Sequence, residues 1–389
     1  MSYIDLFVVL WVGPSALLWL YALGATVRMT RVIPVLAETG LGEARPSVSV
    51  VSPACNEATS IEGSVRSWLA QDRIDIQVIA VNDRSSDDTG QIIEELAAED
   101  RRLVPVHVEA LPDAWLGKLN ALHHGVQRAT GDWLLFADAD VRLTEDAIAR
   151  AVHHAETHGF DLVSAYPQVE RADWLADLVW AAIGSTAGPS GLWRSRDPNS
   201  ERAFAMGAFI LVRRAAFEQT PGFPWLKLEV ADDMGLAILL KEHGHRCDVV
   251  NGRGLVRLRW YTSFGDMVRR SQKNWFGIMS RFSLLRSCLI ACVCFATLSI
   301  PLTLLLPLTH PLAFALPIVT MAALVSASAL EARWSRRALL PALFAPFGFV
   351  LLGAMVLRAG VLGHRLGGIE WRGVVYPSGL LRGEQRFEM

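Results

Sequence analysis

Cysteine is scarce, with five residues in 389: Cys55, Cys247, Cys288, Cys292 and Cys294. None stands in a paired zinc or redox spacing, and three fall inside one apolar run. They read as small hydrophobes in a reduced compartment, which sets cysteine chemistry aside. Two phosphate-binding signatures are missing as well. Neither G-x-x-x-x-G-K-[ST] nor G-x-G-x-x-G occurs, so neither a P-loop NTPase nor a dinucleotide enzyme is indicated. Charge is thin for a water-soluble chain, 20% against 52% hydrophobic residues. It is still too high for a chain lying wholly in lipid. A watery domain joined to membrane segments is expected.

The apolar residues are gathered in runs. Residues 6–27 carry no charge and are long enough for a bilayer, which takes about 20 apolar residues. A cleaved signal peptide fits poorly, because no basic segment precedes the run. Arg28 and Arg31 follow at once, so the positive-inside rule places the downstream chain in the cytoplasm. Three more apolar stretches, 287–308, 311–330 and 338–362, lie near the end, and the first two read as a hairpin. The third makes the count odd. A single crossing would put the tail outside, while the tail's arginines argue for inside. Pro341, Pro346 and Arg358 leave a re-entrant or broken helix open as the alternative. The expected organisation is a transmembrane helix at 1–30, a cytoplasmic domain at 46–260 and a basic interfacial helix at 261–286. Transmembrane segments at 287–363 and a tail at 364–389 complete a multi-pass protein of the inner (plasma) membrane. The basic run from Arg257 to Arg286, opposed only by Asp266, suits anionic lipid headgroups.

Between residues 46 and 260 apolar runs alternate with amphipathic helices. Residues 47–53, 76–83, 103–109 and 132–140 read as strands, the first three each followed by a helix. The helix after the second strand is expected to carry a serine cap and an acidic first turn. Such alternation predicts an α/β domain with a mostly parallel sheet covered on both faces. Ligands of such sheets bind beyond the carboxyl ends of the strands. Glu57, Asp83, Asp138 and Asp140 all stand just past strand ends. Residues two apart on an extended segment point to the same side. Asp138 and Asp140 can therefore grip one hard divalent cation (Mg2+ or Mn2+), with phosphate oxygens and water completing the shell. The plain alternative is a turn capping the next helix; the strand before the pair, the other carboxylates and Lys118 weigh against it.

The segments "VVSPACNEATSI", "VNDRSSDDTG", "LPDAWLGKLNAL", "LLFADADV" and "VADDMGLAILLKEHG" follow one another between residues 50 and 244. In that order they resemble glycosyltransferase family 2, with the GT-A fold, whose members take a sugar from a nucleoside diphosphate donor. The "AWLGK" run and the tail segment "GGIEWRGVVYP" are similar to membrane-bound bacterial members acting on lipids, of the hopanoid-associated, carotenoid and ceramide types. The resemblance makes 46–260 the catalytic domain and implies a metal-dependent, inverting transfer from a UDP-sugar to a lipid acceptor, with membrane lipids as partners and no nucleic acid. It implies roles position by position. Asp83 would accept the imide N–H of a pyrimidine, with Glu57 at the nucleoside edge. Asp138 would sit by ribose and metal, and Asp140 would hold the metal against the diphosphate. Lys118 would neutralise phosphate or order the site, a surface lysine capping its helix being the rival. Asp232 and Asp233 open a predicted helix, where the dipole favours a carboxylate, and Asp233 would be the base.

Three segments carry open alternatives. Residues 204–214 are similar to the family's acceptor-side strand, where Gly207 either makes room for a close approach or marks a bulge. Residues 173–193 read as an interfacial amphipathic helix or as a buried core helix. Processive members carry Q/R-x-x-R-W after the base, but Ser271 and Asn274 occupy the key places before Trp275 here. That departure favours addition of one sugar over polymer synthesis. The rival enzymatic reading is transfer to a polyprenyl phosphate; the rival from another class is a non-catalytic membrane scaffold or transport component with a relic domain.

Overall fold

A computed structural model of the protein describes residues 1–43 and 45–387. The chain folds as two compact units. One comprises 33–170, 193–260 and 379–389; the other comprises 1–32, 171–192 and 261–378.

The first unit is α/β. Its strands are β1 (Ser47–Ala54), β2 (Asp75–Asp83), β3 (Leu103–Val108), β4 (Trp133–Phe136), β5 (Val141–Leu143), β6 (Leu162–Tyr166), β7 (Gln168–Val169), β8 (Ile210–Arg213), β9 (Cys247–Asn251) and β10 (Val256–Leu258). Seven make one sheet in the order β3-β2-β1-β4-β8-β6-β9. All neighbours are parallel except β8, which runs against both β4 and β6. The mostly parallel sheet read from the sequence is therefore present. Its strands are near-continuous apolar runs because helices cover both faces, and β4 is buried throughout. β5, β10 and β7 form a second, small sheet.

The helices follow the apolar spacing. Helix Ile61–Leu69 buries Ile61, Val65 and Trp68. Helix Thr89–Glu99 departs from expectation at its start: its N-cap is Asp88, and its first turn holds no acid. The Asp87 carboxylate instead takes the Thr89 N–H at 3.1 Å and its hydroxyl at 2.5 Å. Ser85 and Ser86 are instead engaged with Asn56, whose N–H donates to Ser85 Oγ at 3.1 Å and whose Oδ1 accepts the Ser86 N–H at 2.8 Å. Helix Gly117–Val126 lies tightly on β1 and β2, because a Cβ at Gly125 would stand 2.4 Å from Val51 Cγ1. Strand order turns back at β1, between β2 and β4, and ligands of open α/β sheets bind at such a switch point.

The second unit is helical but for a two-stranded hairpin, Gly368–Trp371 with Val374–Pro377. Among the described residues four helices are long and apolar enough to cross a membrane: Tyr3–Val32, Leu284–Leu305, Pro311–Trp334 and Leu340–Leu366. Small residues set their packing. A Cβ at Gly348 would lie 2.0 Å from the Leu178 carbonyl oxygen, and one at Gly188 would lie 2.3 Å from the Thr26 nitrogen. Asp5, fully buried at the start of the first helix, accepts the Thr309 N–H at 2.9 Å, the Thr309 hydroxyl at 2.7 Å and the His310 N–H at 3.1 Å. It ties the first helix to the turn of the later hairpin.

Two segments are more broken than their sequence reads. The stretch 261–286, expected as one basic helix, holds an α-helix at Phe264–Arg270 and a π-helix at Lys273–Met279. Arg281 and Phe282 then take left-handed backbone, φ 47° and 57°. Trp275 Nε1 donates to Ser271 Oγ at 2.8 Å; Ser271, one of the two departures from the processive pattern, is thus turned inward onto the tryptophan that the pattern keeps. Residues 173–193 form helix Trp174–Ser185 and a short turn at Ala187–Ser190. Ala176, Val179 and Ala182 are buried, while Trp174 and Leu175 are exposed.

Candidate active site

Lys118 is the second residue of helix Gly117–Val126, and its ammonium joins two loops. Nζ lies 2.9 Å from Asp138 Oδ1, past the end of β4, and 2.7 Å from Asp232 Oδ2, the first residue of helix Asp232–Glu242. The Lys118 side chain is only 14% exposed, which removes the surface-cap reading. Burial alone would lower its pKa, but Asp138 and Asp232 more than offset that and hold the ammonium above the usual lysine range.

Asp233 stands beside this group. Its Oδ2 accepts the Gly207 N–H at 3.1 Å, and its Oδ1 accepts the Met234 N–H at 2.9 Å. The carboxylate is held by backbone donors and remains half-buried, where Asp232 is buried. Gly207 lies in the turn before β8, not in the strand. A Cβ there would sit 3.1 Å from Lys118 Nζ and 3.2 Å from Asp138 Oδ2. Close approach, not a bulge, accounts for the glycine. Lys118, Asp138, Gly207, Asp232 and Asp233 line a small cleft backed by Phe136 and Ile210.

The other expected residues lie outside that lining. Asp83 is buried at the end of β2, and both of its oxygens receive Arg84, Nε to Oδ1 at 2.7 Å and Nη2 to Oδ2 at 3.1 Å. Arg84 reaches back because its own backbone is left-handed, φ 54°. Sequence reasoning passed over this arginine, although its adjacency to Asp83 was a visible signal. The pair borders the helix bearing Lys118, since a Cβ at Gly117 would meet Asp83 Oδ2 and Arg84 Nη2 at 2.6 Å each. Glu57 Oε2 accepts the Ser60 hydroxyl at 2.9 Å, and the Glu57 N–H donates to Thr89 Oγ1 at 2.8 Å. It pins the turn after β1.

Asp138 and Asp140 are both half-buried just beyond β4. Among the described residues no group of three or more carboxylates, imidazoles and thiols converges. The two aspartates offer hard oxygen donors, and Asp138 already faces one cation, the Lys118 ammonium. That donor set fits a divalent ion whose remaining ligands come from phosphate and water. Glu229 was also overlooked. It is 1% exposed three residues before Asp232, and no spacing rule marks it.

The sheet with its one reversed strand, and the acids gathered past its strand ends, define a GT-A domain. Residues 49–220 match the model of glycosyl transferase family 2. The chain is 32% identical over 111 residues to a 4,4'-diaponeurosporenoate glycosyltransferase of Staphylococcus haemolyticus, 28% of this chain and 28% of that one. It is 30% identical over 153 residues to an undecaprenyl-phosphate 4-deoxy-4-formamido-L-arabinose transferase of Enterobacter sp., 38% of this chain and 46% of that one. The chain thus spans less than half the length of these relatives. Among solved structures, it resembles the mannosyltransferase PcManGT from Pyrobaculum calidifontis, in complex with GDP-Man and Mn2+. The TM-score is 0.54 at 18% identity, over 93% of this chain and 98% of that one.

Proposed function

We propose that the protein is a membrane-bound glycosyltransferase that moves one sugar from a nucleoside diphosphate donor, a UDP-sugar, to the hydroxyl of a lipid, with inversion. The observation that carries this reading is the half-buried Asp233 carboxylate, oriented by the Gly207 N–H beside the Lys118–Asp138–Asp232 group. Two backbone donors fix its direction without neutralising it, as a base requires. Four long apolar helices and two relatives named for lipid-like molecules support the lipid acceptor. Arg28 and Arg31 support a cytoplasmic catalytic unit.

In this reading Asp233 takes the proton of the acceptor hydroxyl as its oxygen attacks the anomeric carbon opposite the leaving diphosphate. Asp138 and Asp140 would hold the divalent ion, which offsets charge developing on the leaving group. Lys118 keeps Asp138 and Asp232 oriented. Asp83 would receive the pyrimidine imide, with Arg84 turning aside or sharing the carboxylate, and Glu57 would close the nucleoside edge. The rival acceptor, a polyprenyl phosphate, is favoured by the undecaprenyl-phosphate relative. Such an acceptor is already ionised and needs no base.

Asp233→Asn decides between them. With a panel of UDP- and GDP-sugars, manganese and a bacterial lipid extract, single-turnover transfer should fall about 10²–10⁴-fold while UDP affinity stays near wild type. Transfer near the wild-type rate with intact UDP binding would reject Asp233 as base and favour the phosphate acceptor.

A further inference from the structure

The segment that delivers Asp232 and Asp233 runs from Trp225, near the end of the short helix Phe223–Leu226, to Ala231, and it belongs to no sheet. Its backbone polar groups must therefore find partners elsewhere. The Lys227 carbonyl accepts the Leu116 N–H at 2.7 Å, which links the loop to the helix of Lys118. The Ala231 N–H donates to Glu229 Oε1 at 2.9 Å. The Glu229 N–H donates to the Leu226 carbonyl at 2.7 Å, and the Ala231 carbonyl accepts the Gly235 N–H at 2.8 Å. Further bonds come from the end of the chain. Gln385 spans the loop: its Nε2 donates to the Leu228 carbonyl at 2.8 Å, and its Oε1 accepts the Val230 N–H at 3.1 Å. Glu229 Oε2 accepts the backbone N–H groups of Arg386 and Phe387, the second at 3.2 Å. The Arg386 guanidinium lies over the Trp225 ring, 4.8 Å from its centroid.

These contacts reach the base through one further step. A Cβ at Gly235 would lie 2.7 Å from Glu229 Cγ, so the first turn of helix Asp232–Glu242 rests directly on the Glu229 side chain. Glu229 is buried and its pKa is raised by that burial, against the hydrogen bonds it accepts from Arg386, Ala231 and Phe387. A carboxylate so placed stays put only while the tail supplies its donors.

From this we infer that residues 385–387 are a positioning strap: they hold Glu229 and the loop 225–231 so that Asp233 keeps its direction toward the acceptor. Gln385 and Glu229 are positioning residues, and the inference rests on Asp233 being the base. A displacement of about 1 Å in a reacting group costs on the order of 10²-fold in rate. Loss of the strap should therefore appear in turnover before it appears in donor binding.

The test uses the full-length protein in detergent, Gln385→Ala, and a chain ended after Glu384. Each is made with Asp233 and again with Asp233→Asn, and assayed with whichever nucleotide sugar and lipid extract support wild-type transfer. Single-turnover transfer should fall about tenfold or more in both tail variants with Asp233 present. UDP–manganese affinity should stay within about twofold, and hydrogen exchange should quicken at 225–233 alone. In the Asp233→Asn background the same tail changes should cost little, because the group they position is gone. Wild-type transfer in both tail variants would overturn the strap, and so would equal losses with and without Asp233. High activity of Asp233→Asn alone would sink the base reading instead, so the two failures are told apart.

Discussion

Asp138 and Asp232 share one counter-charge, the Lys118 ammonium, and neither is well exposed. Lys118→Met would leave two carboxylates facing each other without it. Breaking a buried pair from one side costs about 3 kcal/mol or more, so the melting temperature in detergent should drop by several degrees. The sign with pH follows from the raised lysine pKa. The stabilisation is fully present below the unfolded value and is lost only as pH rises through the higher folded one. The gap between wild type and variant should therefore not close between about pH 6 and 9. A gap that shrinks there, or a drop below a degree, would remove Lys118 from this role. Asp138, Asp232 and Lys118 were legible because each stands in a recognisable local segment. Arg84 was not, because its contact depends on a left-handed backbone that no side-chain pattern announces.

Helix Gly117–Val126 shows how an element sets a site. Its presence followed from the alternation of apolar runs and helices, though it ends at Val126 rather than at Gly131; its distance from the sheet is decided by Gly125, against Val51 and Val81. Gly125→Ala should push the helix off β1 and β2, costing about 1–3 kcal/mol by overpacking. Lys118 would move with it, so transfer should fall further than the lost stability explains. Unchanged melting and rate would show that the helix adjusts at no cost. The break at 261–286 is the contrary lesson. Basic residues at helical spacing read as one helix, yet an α-turn, a π-helix and two left-handed residues follow in sequence. Spacing reports a favoured local period, and packing around Trp275 and Phe276, both buried, overrides it.

On the scale of the whole molecule the tail bears on the odd count of apolar segments. Residues 385–387 bond to 228–230, within the catalytic unit, so both must lie on one side of any membrane. An even number of crossings must then separate residues 260 and 379. Within the helical unit, Gly360 abuts Ser287 near the start of helix Leu284–Leu302, while Gly348 abuts Leu178. Ser328, near the end of helix Pro311–Trp334, donates to the neighbouring Ala181 carbonyl at 2.9 Å. Helix Ala345–Leu366 thus starts beside the end of one hairpin arm and finishes beside the start of the other. This placement favours the re-entrant alternative, in which the helix enters without crossing. In a cysteine-free background, Pro307→Cys should react with an impermeant thiol reagent in intact cells, while Glu94→Cys and Gly383→Cys should not. Labelling at Gly383→Cys but not Glu94→Cys would put the tail outside and sink the strap with it.

The first four strands with the helices between them, the apolar segments and the acids past strand ends were determined by the sequence alone. Local period, capping chemistry and runs of unlike hydropathy are properties of neighbours along the chain. The tertiary structure decided what those residues meet. Asp233 is aimed by a glycine 26 residues earlier, and Glu229 is held by backbone 157 residues later. Such contacts join segments with no periodic relation, and a buried carboxylate looks like any other acid until the donors around it are folded into place.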